Sequence, residues 1–511
     1  MTLRAMSLDE LRACTPRFDV VPFAESKRRG CALLADEKGQ LFAALADPHD
    51  LKTQDWLEAL LNEPVEYRAP NADDLAAFLA QREEALRAMD AIVGGAGSGA
   101  DMDAAAQDVS LEAIGEADNP VVRLVGSTLH DALKAGASDI HLESTGAGLE
   151  IKYRVDGVLV PIKSVNGAET AEHAISRIKV IAELDIAERR LPQDGRFKVR
   201  NRGGEIDIRV SVMPSVHGED AVLRVLDKRQ LADQMQNLTL ANLGFDGKTV
   251  ETLQRLASEP YGMMLVTGPT GSGKTTTLYA TISEVHRGSD KMVTIEDPVE
   301  YQLPGVLQIP VNEKKGLTFA RGLRSILRHD PDRIMVGEIR DPETAEIAVQ
   351  AALTGHLVYT TVHANNVFDV IGRFMHMGVD TFNFVSALNA VLAQRLVRIN
   401  CSACSEEDKP DAKLLRAVGI SPTDASAYRF RHGTGCGRCR GTGFRGRKAI
   451  AELLVLNDEI RELIVARVPV RRLKEAAKAT GVQTLREVAL ELVRRGETTL
   501  EEINRVTFVG E

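Results

Sequence analysis

The stretch Gly268-Pro269-Thr270-Gly271-Ser272-Gly273-Lys274-Thr275 matches the pattern G-x-x-x-x-G-K-[ST]. An apolar run, Met263–Val266, precedes it and predicts a buried parallel strand, and TTLYATISEVH at 276–286 predicts a helix behind it. A strand, a glycine-rich loop and a helix in this order form a phosphate loop, because the loop's N–H groups and the helix N-terminus both face an anion. The sequence therefore predicts a nucleotide site. The alternative, an ordinary glycine turn, does not require this flanking strand and helix.

We expect the loop to bind ATP through Gly268, Pro269, Thr270, Gly271, Ser272, Gly273, Lys274, Thr275 and Thr276. Glycine is needed because a Cβ atom would hinder the backbone's approach to phosphate. Lys274 would reach the β- and γ-phosphates, and Thr275 would hold Mg²⁺. We expect the Lys274 side chain to face solvent and to meet only phosphate.

The whole chain is 511 residues long, which predicts about three domains. Its net charge of −10 gives no general attraction for nucleic acid. No apolar run reaches 18 residues, and the N-terminus lacks the apolar core of a signal peptide. We therefore expect a cytosolic protein without a membrane span or stable disulfides, in which Cys14 and Cys31 are buried thiols.

Residues 1–89 are predicted to form a small α/β module. Its expected strands are Phe18–Val21, Cys31–Leu34 and Leu41–Leu45, and its expected helices are Leu51–Leu61 and Asn71–Met89, with Asn71 as N-cap. No catalytic cluster occurs here, so partner binding is the favoured role and a structural cap is the alternative. Residues 90–117 are rich in Gly, Ala, Ser and acids and predict a flexible linker that spans about 30 Å.

Residues 118–235 are predicted to form an α+β domain. Its expected elements are the helices Val121–Lys134 and Ala171–Leu184 and the strands Ser138–Glu143, Glu150–Val155, Gly195–Arg200, Glu205–Met213 and Asp220–Leu226, with a turn at Asp156-Gly157. A basic face contains Arg189, Arg190, Arg196, Arg209 and Arg224. This face could supply phosphate contacts to a nucleotide held by a neighbour, or it could be a solvated charged surface.

Residues 240–395 alternate between strand and helix patterns, as in a P-loop core. The strand Met292–Ile295 ends in three carboxylates, those of Glu296, Asp297 and Glu300, which suit Mg²⁺ and water handling. The strand Ile334–Gly337 ends at Glu338, which is the Walker B position. Helices are expected at Thr318–His329 and Pro342–Leu353, and two histidines, His356 and His363, bracket the strand Leu357–Val362 and suggest a functional role.

Two C-x-x-C pairs, Cys401/Cys404 and Cys436/Cys439, are separated by 31 residues. This spacing predicts a tetrahedral zinc site with four thiolates, and four protein ligands make such a site structural. A redox dithiol is the alternative. We assign residues 396–447 to a metal module whose loop has no core pattern of its own, and residues 448–511 to a helical C-terminal part with amphipathic helices from Ile460 to Val506.

Taken together, these motifs resemble those of the secretion ATPase superfamily, the ring motors of type II secretion and type IV pilus assembly. The matching segments are ASDIHLE at 137–143, RLPQDGR at 190–196, GPTGSGKTTTLY at 268–279, TIEDPVEY at 294–301, LRSILRHDPDRIMVGEIRD at 323–341 and ALTGHLVYTTVHANN at 352–366. Within the superfamily the chain is most similar to the general secretion pathway protein E (GspE) branch. The resemblance implies a RecA-like ATPase core and a PAS-like preceding domain.

The resemblance also implies roles for individual residues. Glu300 would polarise the attacking water, Glu338 would act through Mg²⁺, and His363 would sense the γ-phosphate. Arg209 and Arg224 would contact the nucleotide from the second domain. Glu338 replaces the aspartate that usually ends a Walker B segment, as is common in this superfamily.

The implied assembly is a hexameric ring on the cytoplasmic side of the inner membrane, where it would power protein export by driving pseudopilus assembly. Its implied partners are a GspL-like protein, bound through the N-terminal module, and a GspF-like platform protein. A pilus-extension or DNA-uptake motor is the nearest alternative, and a nucleotide-binding scaffold without turnover is another. The acidic balance counts against a nucleic-acid motor.

Overall fold

A computed structural model describes residues 4–18, 20–36, 39–47, 50–61, 65–83, 107–108, 119–201, 204–227 and 238–508. The chain forms two compact units, residues 1–228 and 229–511. Among the described residues, no helix is both long and apolar enough to cross a bilayer.

The N-terminal module is built on a five-stranded sheet. Its strands, in spatial order, are Arg4–Met6, Glu66–Pro70, Leu41–Leu45, Cys31–Ala35 and Thr15–Pro16. Its helices are Leu8–Ala13, Phe23–Arg29, Leu51–Leu61 and Ala72–Glu83. The side chain of Asn71 accepts the Asp73 N–H at 3.3 Å, so the predicted N-cap is confirmed, while the predicted helix beyond residue 83 falls outside the described residues. Both Cys14 and Cys31 are buried thiols without a disulfide bond, as expected.

The predicted strand Phe18–Val21 is wrong. Phe18 and Val20 lie in a turn, and the helix Phe23–Arg29 follows directly. Pro22 precedes this helix, and Gly30 ends it at φ +61°, a left-handed conformation that favours glycine. Val21, from the segment predicted as a strand, and Phe23, the first residue of the helix, are both buried in the module's core.

The second domain is a seven-stranded sheet with two helices, Pro120–Ala135 and Ala168–Ile181, that pack against each other. Its strands, in spatial order, are Gln107–Asp108, Gln193–Asn201, Gly204–Ser215, Gly218–Leu226, Asp139–Thr145, Gly148–Val155 and Val158–Asn166. The predicted elements are present within a few residues. The prediction missed Val158–Asn166 and the short strand at 107–108, which falls within the predicted linker; residues 90–106 and 109–117 of that linker lie outside the described residues.

The core of the second unit is a sheet of six parallel strands and one antiparallel edge strand. In spatial order they are Leu307–Pro310, Met292–Glu296, Arg333–Val336, Leu357–Val362, Gly262–Thr267, Leu388–Asn400 and Phe444–Val455. The helices are Gly247–Ala257, Lys274–Val285, Phe319–Ile326, Pro342–Leu353, Val367–His376, Thr381–Ala387, Asp458–Val465, Val470–Ala479, Leu485–Arg494 and Leu500–Val506. The strand Gly262–Thr267 is buried at every position, as its apolar sequence predicted.

The metal module is an insertion at the end of a core hairpin. Its two flanking strands, Leu388–Asn400 and Phe444–Val455, pair in antiparallel fashion, so the expected boundaries at 396 and 447 fall inside core strands. Between the cysteine pairs lie the short helices Ala412–Ala417 and Pro422–Ala425. The loop does contribute to a core, contrary to expectation, because Val418 and Ile420 are buried in the main apolar cluster of this unit.

Candidate nucleotide site and metal centre

The phosphate loop packs closely against the strand Leu388–Asn400. Gly268 has φ +150° and Gly273 has φ +84°, and Gly273 forms the N-cap of the helix Lys274–Val285. A Cβ atom on Gly268 would lie 2.5 Å from the Gln394 carbonyl oxygen, and one on Gly273 would lie 3.0 Å from its Nε2. Both glycines are therefore required by close packing behind the loop as well as by their backbone conformations.

Lys274 is half-buried and is bonded to the loop itself, so the expectation that it faces solvent and meets only phosphate is wrong. Its ammonium donates to the carbonyl oxygens of Gly268 and Pro269 at 3.0 and 3.2 Å. Burial lowers the pKa of Lys274, whereas the nearby carboxylates of Glu338 and Glu300 act in the opposite direction. The Lys274 ammonium is therefore bound by carbonyl oxygens of the loop, and it lies close to the acidic groups that are expected to act on a nucleotide.

The Glu338 carboxylate follows the end of its strand and contacts two side chains, one a permanent cation and the other a titratable histidine. Arg340 forms an ion pair with one carboxylate oxygen, and His363 Nε2 lies 3.4 Å from the other. Burial lowers the pKa of His363, Lys274 lowers it further, and Glu338 opposes both. These contacts bring Lys274, Glu338 and His363 together. Sequence reasoning missed Arg340, although its position two residues after the Walker B glutamate was a signal.

The two bracketing histidines differ in role. His356 Nδ1 lies 3.0 Å from the Ala351 carbonyl at the end of the preceding helix. This places it at the amino end of the strand Leu357–Val362, whereas His363 follows the carboxyl end, where the phosphate loop lies. The contacts of His356 are therefore those of a structural residue, and the functional role expected for the two histidines applies only to His363.

Glu296 is a buried structural carboxylate and not a free ligand for Mg²⁺ or water. It accepts hydrogen bonds from Tyr279, from Thr294 at 2.5 Å and from Gln308 at 3.1 Å. Gln308 also donates to the Tyr301 carbonyl at 2.9 Å, so the network holds the segment that follows Glu300. Of the three carboxylates expected to handle Mg²⁺ and water, Asp297 and Glu300 are exposed and Glu296 is not.

The oxygen atoms needed for Mg²⁺ are available in the chain. Magnesium takes oxygen ligands and is usually held by one or two carboxylates with phosphates and waters. The hydroxyl of Thr275, in the first turn of the loop helix, and the carboxylate of Glu338 provide such donors.

Three arginines of the second domain form a row across neighbouring strands. The register places Arg196 opposite Arg209, and Arg209 opposite Arg224. Arg224 Nε donates to Asp139 Oδ1 at 3.0 Å, yet its side chain stays 65% exposed. Like charges directly opposite each other destabilise a sheet, and a bound anion would offset this repulsion. The arginine row is therefore a surface suited to binding an anion.

The other two arginines of the predicted basic face have local partners. Arg189 pairs with Glu172, and Arg190 pairs with Glu188 at 3.1 Å. The structure thus separates the five predicted residues into a row of three on neighbouring strands, in which Arg224 also contacts Asp139, and two that pair with carboxylates outside the row.

The four cysteines come together as predicted. Their sulfur atoms all lie within 4.8 Å of one another, with Cys401–Cys436, Cys404–Cys439 and Cys436–Cys439 separations of 3.9, 3.6 and 3.8 Å. A tetrahedral ion with Zn–S bonds of about 2.3 Å would place its ligands about 3.8 Å apart. The second pair is held by a turn in which Cys436 N–H donates to Cys439 Sγ at 3.1 Å. The residues therefore fit a metal ion.

Two family profiles match the chain. The profile described as "Type II/IV secretion system protein" matches residues 115–505, and the MshEN domain profile matches residues 1–89. The fold resembles that of the ATPase DotB from Legionella pneumophila, with a TM-score of 0.53 at 21% identity over 75% of this chain and 95% of that one. At this identity the resemblance is one of fold.

Characterised relatives are considerably closer in sequence. The chain is 46% identical to type II secretion system protein E of Pseudomonas aeruginosa, over 77% of this chain and 76% of that protein. It is 42% identical to the type II secretion system protein HxcR of the same species, over 96% of this chain and 99% of that protein. It is 46% identical to the type IV pilus assembly ATPase PilB of Thermus thermophilus, over 75% of this chain but 42% of that protein. The chain belongs to the type II/IV secretion system protein family and is one of its ATPases.

Proposed function

We propose that this protein hydrolyses ATP at the Lys274 loop to power protein export through a type II secretion system, by driving pseudopilus assembly. The observation that carries the proposal is the meeting of Lys274, Glu338 and His363 at the carboxyl ends of adjacent parallel strands. Ligands in open α/β sheets bind at this edge.

Each residue has a physical role in this reaction. Lys274 would exchange the carbonyls of Gly268 and Pro269 for the β- and γ-phosphates, which neutralise its charge better than neutral oxygens do. Thr275 and Glu338 would hold Mg²⁺, which supplies charge neutralisation on the phosphates. Glu300 would orient the attacking water, and His363, kept neutral by its lowered pKa, would contact the γ-phosphate.

The arginine row would complete the site from the second domain. Arg209 and Arg224 are exposed and carry more positive charge than Asp139 balances, which suits contact with a transferring phosphoryl group. If they reach a nucleotide on a neighbouring copy, the contacts are heterologous, and such contacts either close into a ring or run on as a filament. We infer a homohexamer.

The metal centre would contribute stability and not chemistry. Four thiolates leave no position for a bound water, so Zn²⁺ would order the two cysteine turns without activating a nucleophile. We further propose that the chain is cytoplasmic and peripheral to the inner membrane. There the N-terminal module would bind a GspL-like protein, and the ring would act on a GspF-like platform protein.

Pilus extension or DNA uptake is the second candidate, because pilus assembly ATPases are as similar in sequence as secretion ATPases are. The N-terminal module favours secretion, because HxcR matches this chain over nearly the full length of both proteins. A non-hydrolysing scaffold would not need Lys274, Glu338 and His363 in one place.

Two measurements test the proposal. Phosphate release by the purified full-length protein, with Lys274→Ala as the inactive control, tests hydrolysis. Secretion of an extracellular enzyme in a strain lacking the gene, complemented by wild type or by Lys274→Ala, tests export. Turnover without restored secretion, together with restored surface pili, would favour the pilus candidate, and absence of turnover in an assembled ring would favour the scaffold.

A further inference from the structure

Gln394 occupies the inner side of the phosphate loop. Gln394 lies on the strand Leu388–Asn400, and only 1% of its surface is exposed. Its Nε2 donates to the Ser272 carbonyl at 2.7 Å, and its Oε1 accepts the Thr277 hydroxyl at 2.7 Å. One buried amide thus joins the loop to the first turn of the helix behind it.

The Ser272 contact determines which way a loop peptide faces. In a planar trans peptide the C=O and the following N–H point in opposite directions. Gln394 holds the Ser272 carbonyl toward the interior, so the N–H of Gly273 in the same peptide points away from the strand, to the side where phosphate would bind. The opposite orientation would direct a carbonyl oxygen at the anion.

The next residue joins the same strand to the His363 segment. Arg395 is 8% exposed, and its guanidinium donates to the Gln394 carbonyl at 3.0 Å and to the Asn365 carbonyl at 2.7 Å. Its charge lies close enough to lower the pKa of Lys274. Adjacent residues of one strand therefore hold both the phosphate loop and the segment that follows His363.

We infer that Gln394 is a positioning residue of the nucleotide site, which fixes the phosphate loop in its binding conformation by holding the Ser272–Gly273 peptide. The inference rests on the proposed binding of phosphate at Lys274. It assigns Gln394 to affinity and not to the chemical step, since within the described residues the hydrogen bonds of its amide go to the loop and the helix behind it.

The test compares Gln394→Met with Thr277→Val and Thr281→Val in the full-length protein. Methionine keeps the length of the side chain but cannot donate to Ser272. Thr277→Val removes only the donor to Oε1. Thr281, one turn further along, is equally buried and bonds only to the Thr277 carbonyl at 2.8 Å, so Thr281→Val is the matched control.

Loss of a buried hydrogen-bond partner should weaken affinity for ATP and ADP about tenfold in Gln394→Met and about threefold in Thr277→Val. Thr281→Val should bind as wild type does. Titration with a fluorescent ATP analogue gives the affinity, and melting without nucleotide gives the fold. The Michaelis constant should rise in Gln394→Met while kcat changes less, which a general loss of folded protein would not produce.

The outcomes separate this inference from the proposed site. Wild-type affinity in folded Gln394→Met, with no binding by Lys274→Ala, would overturn the role of Gln394 and leave the site intact. Wild-type affinity in Lys274→Ala would overturn the site itself. If Gln394→Met does not fold, equal affinities of Thr277→Val and Thr281→Val would overturn the inference.

Discussion

Replacing Arg209 with alanine is expected to stabilise the second domain while removing most of the ATP turnover. Arg209 is the middle residue of the arginine row and faces a like charge on both neighbouring strands, Arg196 on one and Arg224 on the other. Removing it relieves two repulsive pairs at once.

The magnitude follows from position and exposure. Like charges directly opposite each other cost up to about 1 kcal/mol per pair in a sheet. All three side chains are exposed to water, which screens them, so we expect a total gain of about 0.5–1 kcal/mol. For a domain of this size that raises the melting temperature by about 2–4 °C. Turnover should fall about 10³-fold, as for arginines that contact a transferring phosphoryl group elsewhere.

Thermal melting of the full-length protein at low and high salt, together with phosphate release by assembled protein, provides the assay. The gain in melting temperature should disappear at about 1 M salt, where the Debye length falls to about 3 Å. Arg200→Ala is the matched control, because Arg200 lies on the strand of Arg196 but opposite Glu205, so its removal should lower stability slightly and preserve turnover. An Arg209→Ala protein that melts lower than wild type, or that retains turnover, would refute the reasoning.

Glu300→Gln and Glu338→Gln should bind nucleotide but release phosphate about 10²-fold more slowly, and near-normal release from either would remove its assigned role. Lys274→Ala should abolish turnover without loss of folded protein, measured by melting, because the Lys274 ammonium donates to two carbonyls of the loop itself and to no other element in the described part of the chain. Because the pKa of His363 is lowered in the folded protein, the unfolded chain binds more protons, and the folded state loses stability as pH falls below 6.5. His363→Asn should therefore make the melting temperature less dependent on pH in that range. An unchanged slope of melting temperature against pH would contradict this. Chelation or Cys436→Ser should increase proteolysis at the two cysteine turns and leave nucleotide affinity intact, which limited proteolysis beside nucleotide titration can check.

Local patterns were sufficient for four of the core strands, those predicted from the apolar runs that precede the phosphate loop, Glu296, Glu338 and His363. The run Met263–Val266 and the loop after it specify strand, turn and helix through neighbouring residues, and the structure agrees. The cysteine pairs were also local signals, and their meeting is confirmed. Phe18–Val21 failed because so short a segment, with three apolar residues around Asp19, fits a strand as well as the approach to a helix.

Contacts between distant residues were beyond the reach of such patterns. Gln394 is separated from Ser272 by more than a hundred positions, and nothing in its own strand distinguishes it from a structural polar residue. Glu296 was misjudged for the same reason, since a carboxylate at a strand end suggests chemistry until Tyr279 and Gln308 are seen to cover it.

The hairpin that carries the metal module allows the module and the ATPase core to have separate evolutionary histories. The register pairs Asn400 with Phe444, so the backbone enters and leaves the insertion at neighbouring points. A single insertion or deletion event there would leave every strand pair of the core in register. The module nevertheless packs on the core, because Val418 and Ile420 lie in the main apolar cluster. A lineage that lost the whole module would expose that cluster and would need compensating polar substitutions on the surface that these two residues cover.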